Sequence, residues 1–339
     1  MSTSPSKGWR EVVPEGEEAR LRELALSLRA LQKSRDGEGP SHRALHNKSN
    51  LDLLAELEIR ADLPEAARVA LFAAPKTYKA FVRFSNGGVQ SQSDRKPDVR
   101  GIAVKVLGVP GKKLIPGMED ETTQDLLAIR DPSVTFKTAD EFVAAVRAGV
   151  NPLAVFGFFR AAGFFRGLGI LKQVSAALKR PIASIATTTY FSALPIRLGE
   201  HAVKFKLAPR LAASEGATPD DLGAELAERV RREPVIWDLA IQFFVDETKT
   251  PIEDATVEWT SDVAPWLDVA TLTLVRQDPS SERGKKVTEL VESMSFDPWH
   301  ALEEMRPLGH LMRARNHAYR ESTIARSAAK EPRGEDWGV

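Results

Sequence analysis

The chain has 339 residues with 47 Lys and Arg against 47 Asp and Glu, so its formal net charge is zero, and a hydrophobic share of 42% excludes an intrinsically disordered chain. The absence of cysteine excludes disulfides, cysteine-ligated zinc, iron–sulfur clusters, a thiol nucleophile and a thiolate-held haem together. Balanced charge gives no global pull toward nucleic acid or acidic membranes, and the six histidines leave the chemistry to few imidazoles, carboxylates, hydroxyls, tyrosine or a bound cofactor.

No apolar run follows the basic residues of the opening MSTSPSKGWREVVPEGEE, so no signal peptide is expected and the expected compartment is the cytoplasm. Residues 1–40 read as an arm with one helix: Leu21, Leu24, Leu28 and Leu31 recur at helical spacing within 17–33, and Gly37, Gly39 and Pro40 break it. From there the period drops to two. Over 51–59, Leu51, Leu53, Ala55, Leu57 and Ile59 share one face while Asp52, Glu56 and Glu58 point away, which predicts a half-buried strand. Further strands are predicted at 78–84, 99–107, 125–131, 186–193, 201–208, 237–245 and 268–275. Eight such strands can close into a barrel with no open edge. Helices are predicted at 138–149, where Thr138 and Glu141 form a capping-box pair, and at 156–179, 218–232 and 306–330. One unit over 41–330 is expected, followed by a loose tail, 331–339.

Several residues stand out for chemistry. On the last helix, offsets of four and eleven put Arg315, Tyr319 and Arg326 within about 40° of one line. A cation four residues before a tyrosine favours tyrosinate, and tyrosinate can hold haem iron. His46, in Arg43-Ala44-Leu45-His46, stands ahead of the first strand, where an imidazole can serve a cavity as a proton shuttle. His42 and His46 would make a metal pair only on a helix, and strand pattern follows them. The segments 81–88 and 97–105 carry arginines and glycines at strand ends, with neither GxGxxG nor GxxxxGK[ST]. Taken singly, each has an ordinary structural explanation.

Taken in order, these segments resemble the haem catalase superfamily, especially its compact, catalase-related peroxidase-like members. The matches are Arg43-Ala44-Leu45-His46 with the distal histidine motif, Val82-Arg83-Phe84-Ser85 with the strand after it, Asp98-Val99-Arg100-Gly101-Ile102-Ala103-Val104-Lys105, Ile129-Arg130-Asp131 with Phe136, and Tyr319 between Arg315 and Arg326. The resemblance implies an α+β fold: an eight-stranded antiparallel barrel with an N-terminal arm and flanking helices. It implies a haem-dependent peroxidase or catalase-like enzyme reducing hydrogen peroxide or organic hydroperoxides through a ferryl state. In that reading Tyr319 ligates ferric iron and Arg315 holds it as tyrosinate. Arg43, Arg83 and Arg326 pair with the haem propionates, Phe136 stacks on the porphyrin, His46 is the distal acid–base, and Ser85 orients it. Where the family has a distal asparagine, counting back from Ile129 reaches Thr122 and Thr123. A shorter side chain with no amide favours peroxidase over fast dismutation.

The Phe-rich, basic segment 156–179 reads first as a helix buried against the barrel. Its second reading is an apolar channel or membrane-surface patch admitting lipid hydroperoxides. The alternatives on function are a haem-binding carrier or sensor, a fatty-acid hydroperoxide-rearranging enzyme, and a barrel that binds lipid without haem. The partners expected are a small peroxide and an electron donor, without nucleic acid, and the resemblance allows assembly into a homo-oligomer.

Overall fold

The computed structural model describes residues 5–37, 41–328 and 330–338; the expected helix breakers Gly39 and Pro40 lie outside them. Among the described residues the chain forms β1 (Ser49–Ile59), β2 (Thr77–Asn86), β3 (Arg100–Leu107), β4 (Thr123–Ile129), β5 (Tyr190–Phe191), β6 (Ile196–Leu198), β7 (His201–Pro209), β8 (Val235–Phe243) and β9 (Leu267–Leu274). Hydrogen bonding runs β5-β4-β3-β2-β1-β9-β8-β7, and β5 also pairs with β7, which closes an eight-stranded antiparallel barrel. The short β6 is a hairpin added to β7.

Alternation explains the closure. Leu53, Ala55 and Leu57 of β1, Val82 and Phe84 of β2, and Ile102, Val104 and Val106 of β3 fill the barrel. There the Phe84 ring meets Tyr190 at 6.0 Å and Trp237 at 5.9 Å between centroids. The opposite parity faces outward: Leu54, Phe81 and Leu107 pack on Val287, Val291 and Met294 of the segment 282–294.

The helices are α1 (Glu17–Asp36), α2 (Ala139–Val150), α3 (Val155–Ala162), α4 (Phe164–Lys179), α5 (Leu222–Arg232), α6 (Glu282–Ser293) and α7 (His310–Arg326). Thr138 caps α2, its hydroxyl accepting from the Glu141 amide at 3.2 Å, but the Glu141 carboxylate accepts from the Lys137 amide at 2.7 Å, so only half of the expected box forms. α5 starts later than predicted because Asp221 caps it, accepting from Gly223 at 2.9 Å and Ala224 at 3.2 Å. α1 is tied to α7 through Glu17, which takes hydrogen bonds of 2.6 Å from both His310 and Arg313.

Two expectations are corrected. The segment 156–179 is two helices, broken at Gly163 with φ +75° and bent by 118°, and it is not buried. Phe156 is 78% exposed, Phe164 61% and Phe165 87%; Phe158 and Ile170 alone of its large apolar side chains are fully covered among those described. The break divides the apolar residues between two axes, so one barrel wall cannot cover them. No single helix among the described residues is long and apolar enough to cross a membrane. The C-terminal segment is docked, not loose. Glu331 is buried and accepts from Lys105 at 2.6 Å, and the Trp337 indole donates to the carbonyls of Ala55 and Ala80 at 3.2 Å.

Candidate active site

Outward positions of β2, β3 and β4 carry Arg83, Ser85, Gly101, Ala103, Leu127 and Ile129 to one side of the barrel, and α1, α2 and α7 cover them. The cavity between them has a volume of about 830 Å³, within the range of ~300–1,000 Å³ that cofactor and ligand sites occupy. Leu21, Leu24 and Leu28 of α1, Phe142 and Val143 of α2, and Leu311 and Ala314 of α7 give it apolar walls. Arg43, His46, Arg83, Ser85, Phe136, Arg315, Tyr319 and Arg326 all line this one space.

His46 sits on its barrel side. Its backbone is left-handed, φ +53°, a conformation that costs a non-glycine residue ~1–3 kcal/mol and persists only where neighbours impose it. Arg83 imposes it, donating to the carbonyls of His46 at 3.0 Å and Asn47 at 3.2 Å, while the His46 amide donates to Gly87 at 3.1 Å. The ring Nδ1 lies 2.9 Å from the Ser85 hydroxyl, which leaves Nε2 for the cavity. Burial, reinforced by Arg83, Arg315 and Arg43, pushes the imidazole pKa down to about 3, so the ring is neutral at ordinary pH. Gly101 makes room for it: a Cβ there would come within 2.8 Å of His46 Cε1. Gly101→Ala is therefore expected to displace the ring from Ser85, and loss of the Ser85–His46 hydrogen bond in the imidazole NMR signals checks it; unaltered signals would mean that Gly101 does not set the ring position.

Across the cavity, Arg315 Nη2 donates to the Tyr319 hydroxyl at 2.9 Å, and its guanidinium carbon lies 5.0 Å from the ring centroid. Spacing on α7 predicted this pair. The two sides are tied where the Ala44 amide donates to Ser322 of α7 at 3.4 Å.

At one edge Arg43, Arg83 and Arg326 converge on Glu292. Its carboxylate accepts from Arg83 at 2.6 Å and Arg43 at 3.1 Å, while Arg326 reaches only the carbonyls of Glu292 at 3.4 Å and Met294 at 3.3 Å. Arg326 Nε is buried without a partner. Burial, with repulsion from Arg83 and Arg326, pushes Arg43 down to about 9; burial together with Glu292 pushes Asp52 beside it up to about 7. The cradle thus carries more positive than negative charge. Glu292, on the unpredicted α6, is the residue that sequence reasoning missed; no local pattern marks which cations a glutamate will meet.

Thr122 and Thr123 do not belong to this site. β3–β4 register sets Thr123 against Leu107, whereas Ile129 lies against Gly101, and six residues of strand separate the two ends by about 20 Å. Thr123 instead donates to Glu331 at 2.7 Å and meets His300 Nε2 at 2.5 Å on the outside of the barrel; Thr122 is exposed. His42 and His46 lie on a non-helical segment, so their spacing does not place them on one face. Phe136 lines the cavity and packs edge-on against Phe142, 5.5 Å between centroids at 77°.

No protein-family model matches the sequence. The catalase-related peroxidase of Mycolicibacterium paratuberculosis is 30% identical over 292 residues, covering 80% of this chain and 84% of that one. Among solved structures, catalase A from Saccharomyces cerevisiae superposes with a TM-score of 0.69 at 16% identity, covering 97% of this chain and 68% of that chain. A fungal catalase gives 0.67 at 17%, covering 97% of this chain but 65% of its own length; at these identities the likeness is one of fold.

Proposed function

The chain belongs to the catalase-like superfamily, and from that premise we propose that it is a haem-dependent oxidoreductase reducing hydrogen peroxide or organic hydroperoxides with electrons from a small donor. The observation that carries this is the single cavity faced by a neutral His46 and by the Arg315–Tyr319 pair, with the arginine cradle at its edge. The residues fit haem. The porphyrin's two propionates answer the excess positive charge of Arg43, Arg83 and Arg326 and the orphaned Arg326 Nε; its apolar faces suit the leucine and phenylalanine walls.

Bound haem supplies the iron and the redox capacity for cleaving the peroxide bond. Tyr319 would be its protein ligand, and the hydrogen bond from Arg315 stabilises negative charge on the phenolic oxygen. Phe136 would stack against the macrocycle. His46, held by Ser85, would accept the peroxide's proton at Nε2 and return it to the oxygen that leaves, so that this oxygen departs as water or alcohol rather than as an anion. The other oxygen would be reduced to water with electrons that pass from the small donor through haem. The cavity lining holds no asparagine among the described residues, and Leu127 and Ala128 line the β4 stretch near His46. This favours peroxidase turnover over dismutation, which needs a second peroxide placed as donor. The test is reconstitution with haemin. A Soret band and peroxide-dependent oxidation of a phenolic donor are expected, with little oxygen release. A Soret band without turnover would instead support a carrier or sensor, and no Soret band would sink the proposal.

A lipid contact is supported by the exposed α3 and α4. From 142 to 199 the chain has no Asp or Glu, while Arg147, Arg160, Lys172 and Lys179 accompany Phe156, Phe164 and Phe165. Such a basic, aromatic face suits an anionic bilayer surface, to which each nearby cation adds ~1 kcal/mol. Co-sedimentation with phosphatidylglycerol vesicles, but not phosphatidylcholine ones, is the expected result, reduced severalfold by Phe165→Ser. Self-association abolished by the same change would assign the face to a second copy of the chain.

A further inference from the structure

A second pocket, of about 510 Å³, adjoins the first, with Asp98 and Arg180 lining both. Its basic side chains are Arg95, Lys96, Arg100, Arg130, Lys179 and Arg180, and Asp98 is the acid among its described lining residues. Local pairing leaves this charge only partly answered. Arg95 meets Asp220 at 3.1 Å, and Arg180 pairs with Asp131. Arg130 donates to the Arg180 carbonyl at 2.9 Å.

Arg100 is the decisive group. It is 3% exposed, its Nη2 donates to the carbonyls of Asp94 at 2.6 Å and Lys96 at 3.2 Å, and its Nε and Nη1 are buried without partners. Asp98 comes no nearer than 4.0 Å to Arg100 Nη1, and its oxygens already accept from the amides of Gly88 at 3.0 Å and Val99 at 2.8 Å. A buried guanidinium with free donors is a strong attractor for an anion; with Nη2 engaged, a carboxylate oxygen would accept singly from Nη1 or Nε, and Arg130 and Lys179 would add further positive charge.

We propose that this pocket, through Arg100, Arg130 and Lys179, is a carboxylate subsite, so that the organic hydroperoxides the enzyme prefers are those of long-chain acids. The acid would rest on the cations while its chain occupies the adjoining cavity, where Val174 and Ala177 of α4 and Val134 and Leu194 give apolar lining. A free inorganic anion would gain only the first half of this arrangement. The substrate preference rests on the peroxidase reading; the subsite itself does not.

The experiment compares linoleic acid hydroperoxide with its methyl ester on the haem-loaded protein, and titrates oleate calorimetrically with and without phosphate as competitor. The acid is expected to exceed the ester about tenfold in kcat/KM, carried by KM, with the ratio falling toward one in Arg130→Gln and in Lys179→Gln. Oleate binding is expected to weaken about tenfold in both variants. Equal kcat/KM for acid and ester, or a ratio and oleate affinity unmoved in both variants, would overturn the subsite. Phosphate binding with no oleate binding would also overturn it, by making the pocket an inorganic-anion site. Absence of turnover with every hydroperoxide would fail the peroxidase reading instead, and the oleate titration would still decide the subsite.

Discussion

Replacing Tyr319 with phenylalanine is expected to leave a folded protein that loses haem on dialysis and turns over hydrogen peroxide ~1,000-fold more slowly, equivalent to ~4 kcal/mol of transition-state stabilisation. The change deletes one oxygen from a residue that faces the cavity and belongs to no buried cluster, so the barrel core and the contact of α1 with α7 keep their packing. What disappears is the oxygen that Arg315 addresses at 2.9 Å. Ser322 and Thr323 also line the cavity from α7, but an aliphatic hydroxyl lacks the acidity of a phenol and does not replace it as an anionic ligand. Arg315→Gln keeps the ligand and removes its charged donor, so it should lie between the two, with a loss of about 10–100-fold. Absorbance and turnover, read beside an unchanged circular dichroism spectrum, decide the matter. A Y319F protein with the parent Soret maximum and rate would remove the phenolic oxygen from the site.

The cradle and the tyrosine differ in how readable they were. Tyr319 and Arg315 are neighbours on one helix, so helical spacing alone places them together. Strands β1 to β4 and β7 to β9 were legible because one face of each enters the core and the alternation survives. β5 is expected at eight residues but forms two, because Ile185–Thr187 close a 3-10 turn capped by Ser184 before it and Ala193 turns to φ +56° after it. α6 escaped because its twelve residues carry only Val287, Leu290 and Val291 as an apolar stripe, yet it delivers Glu292 to the arginines. The Thr122–Thr123 assignment failed for another reason. Counting along a strand fixes which residue is meant, but not which end of the barrel the strand brings it to. Apolar composition misled in the same way at α3 and α4: phenylalanine indicates a surface that must meet something, and only the arrangement of neighbours shows that the barrel does not cover it. Zero net charge likewise concealed the acid-free stretch from 142 to 199.

His46→Ala is expected to retain haem, since the cradle and Tyr319 are untouched, while peroxide turnover falls ~100- to 10,000-fold, the usual span for a lost proton shuttle. The parent enzyme's pH profile should carry a sharper signature. A histidine at its ordinary pKa near 6.5 would be half protonated, and half lost as a base, by that pH. His46, held down to about 3 first by burial and then by the cations around it, stays neutral, so the rate per folded molecule is expected to remain flat from pH 8 to about 4. Stability moves the other way. Below pH 6.5 the unfolded chain takes up a proton that folded His46 refuses until about pH 3. Acid therefore lowers stability over that window by up to ~1.4 kcal/mol per pH unit for each such group. His300, also pushed down to about 3, by burial and by Lys105, adds a second. Initial rates taken within seconds of a pH jump should therefore hold while the Tm of the same samples falls. A rate profile with a midpoint near pH 6.5 would show that the imbibed proton reaches His46 in the folded enzyme, and the neutral-base mechanism would go with it.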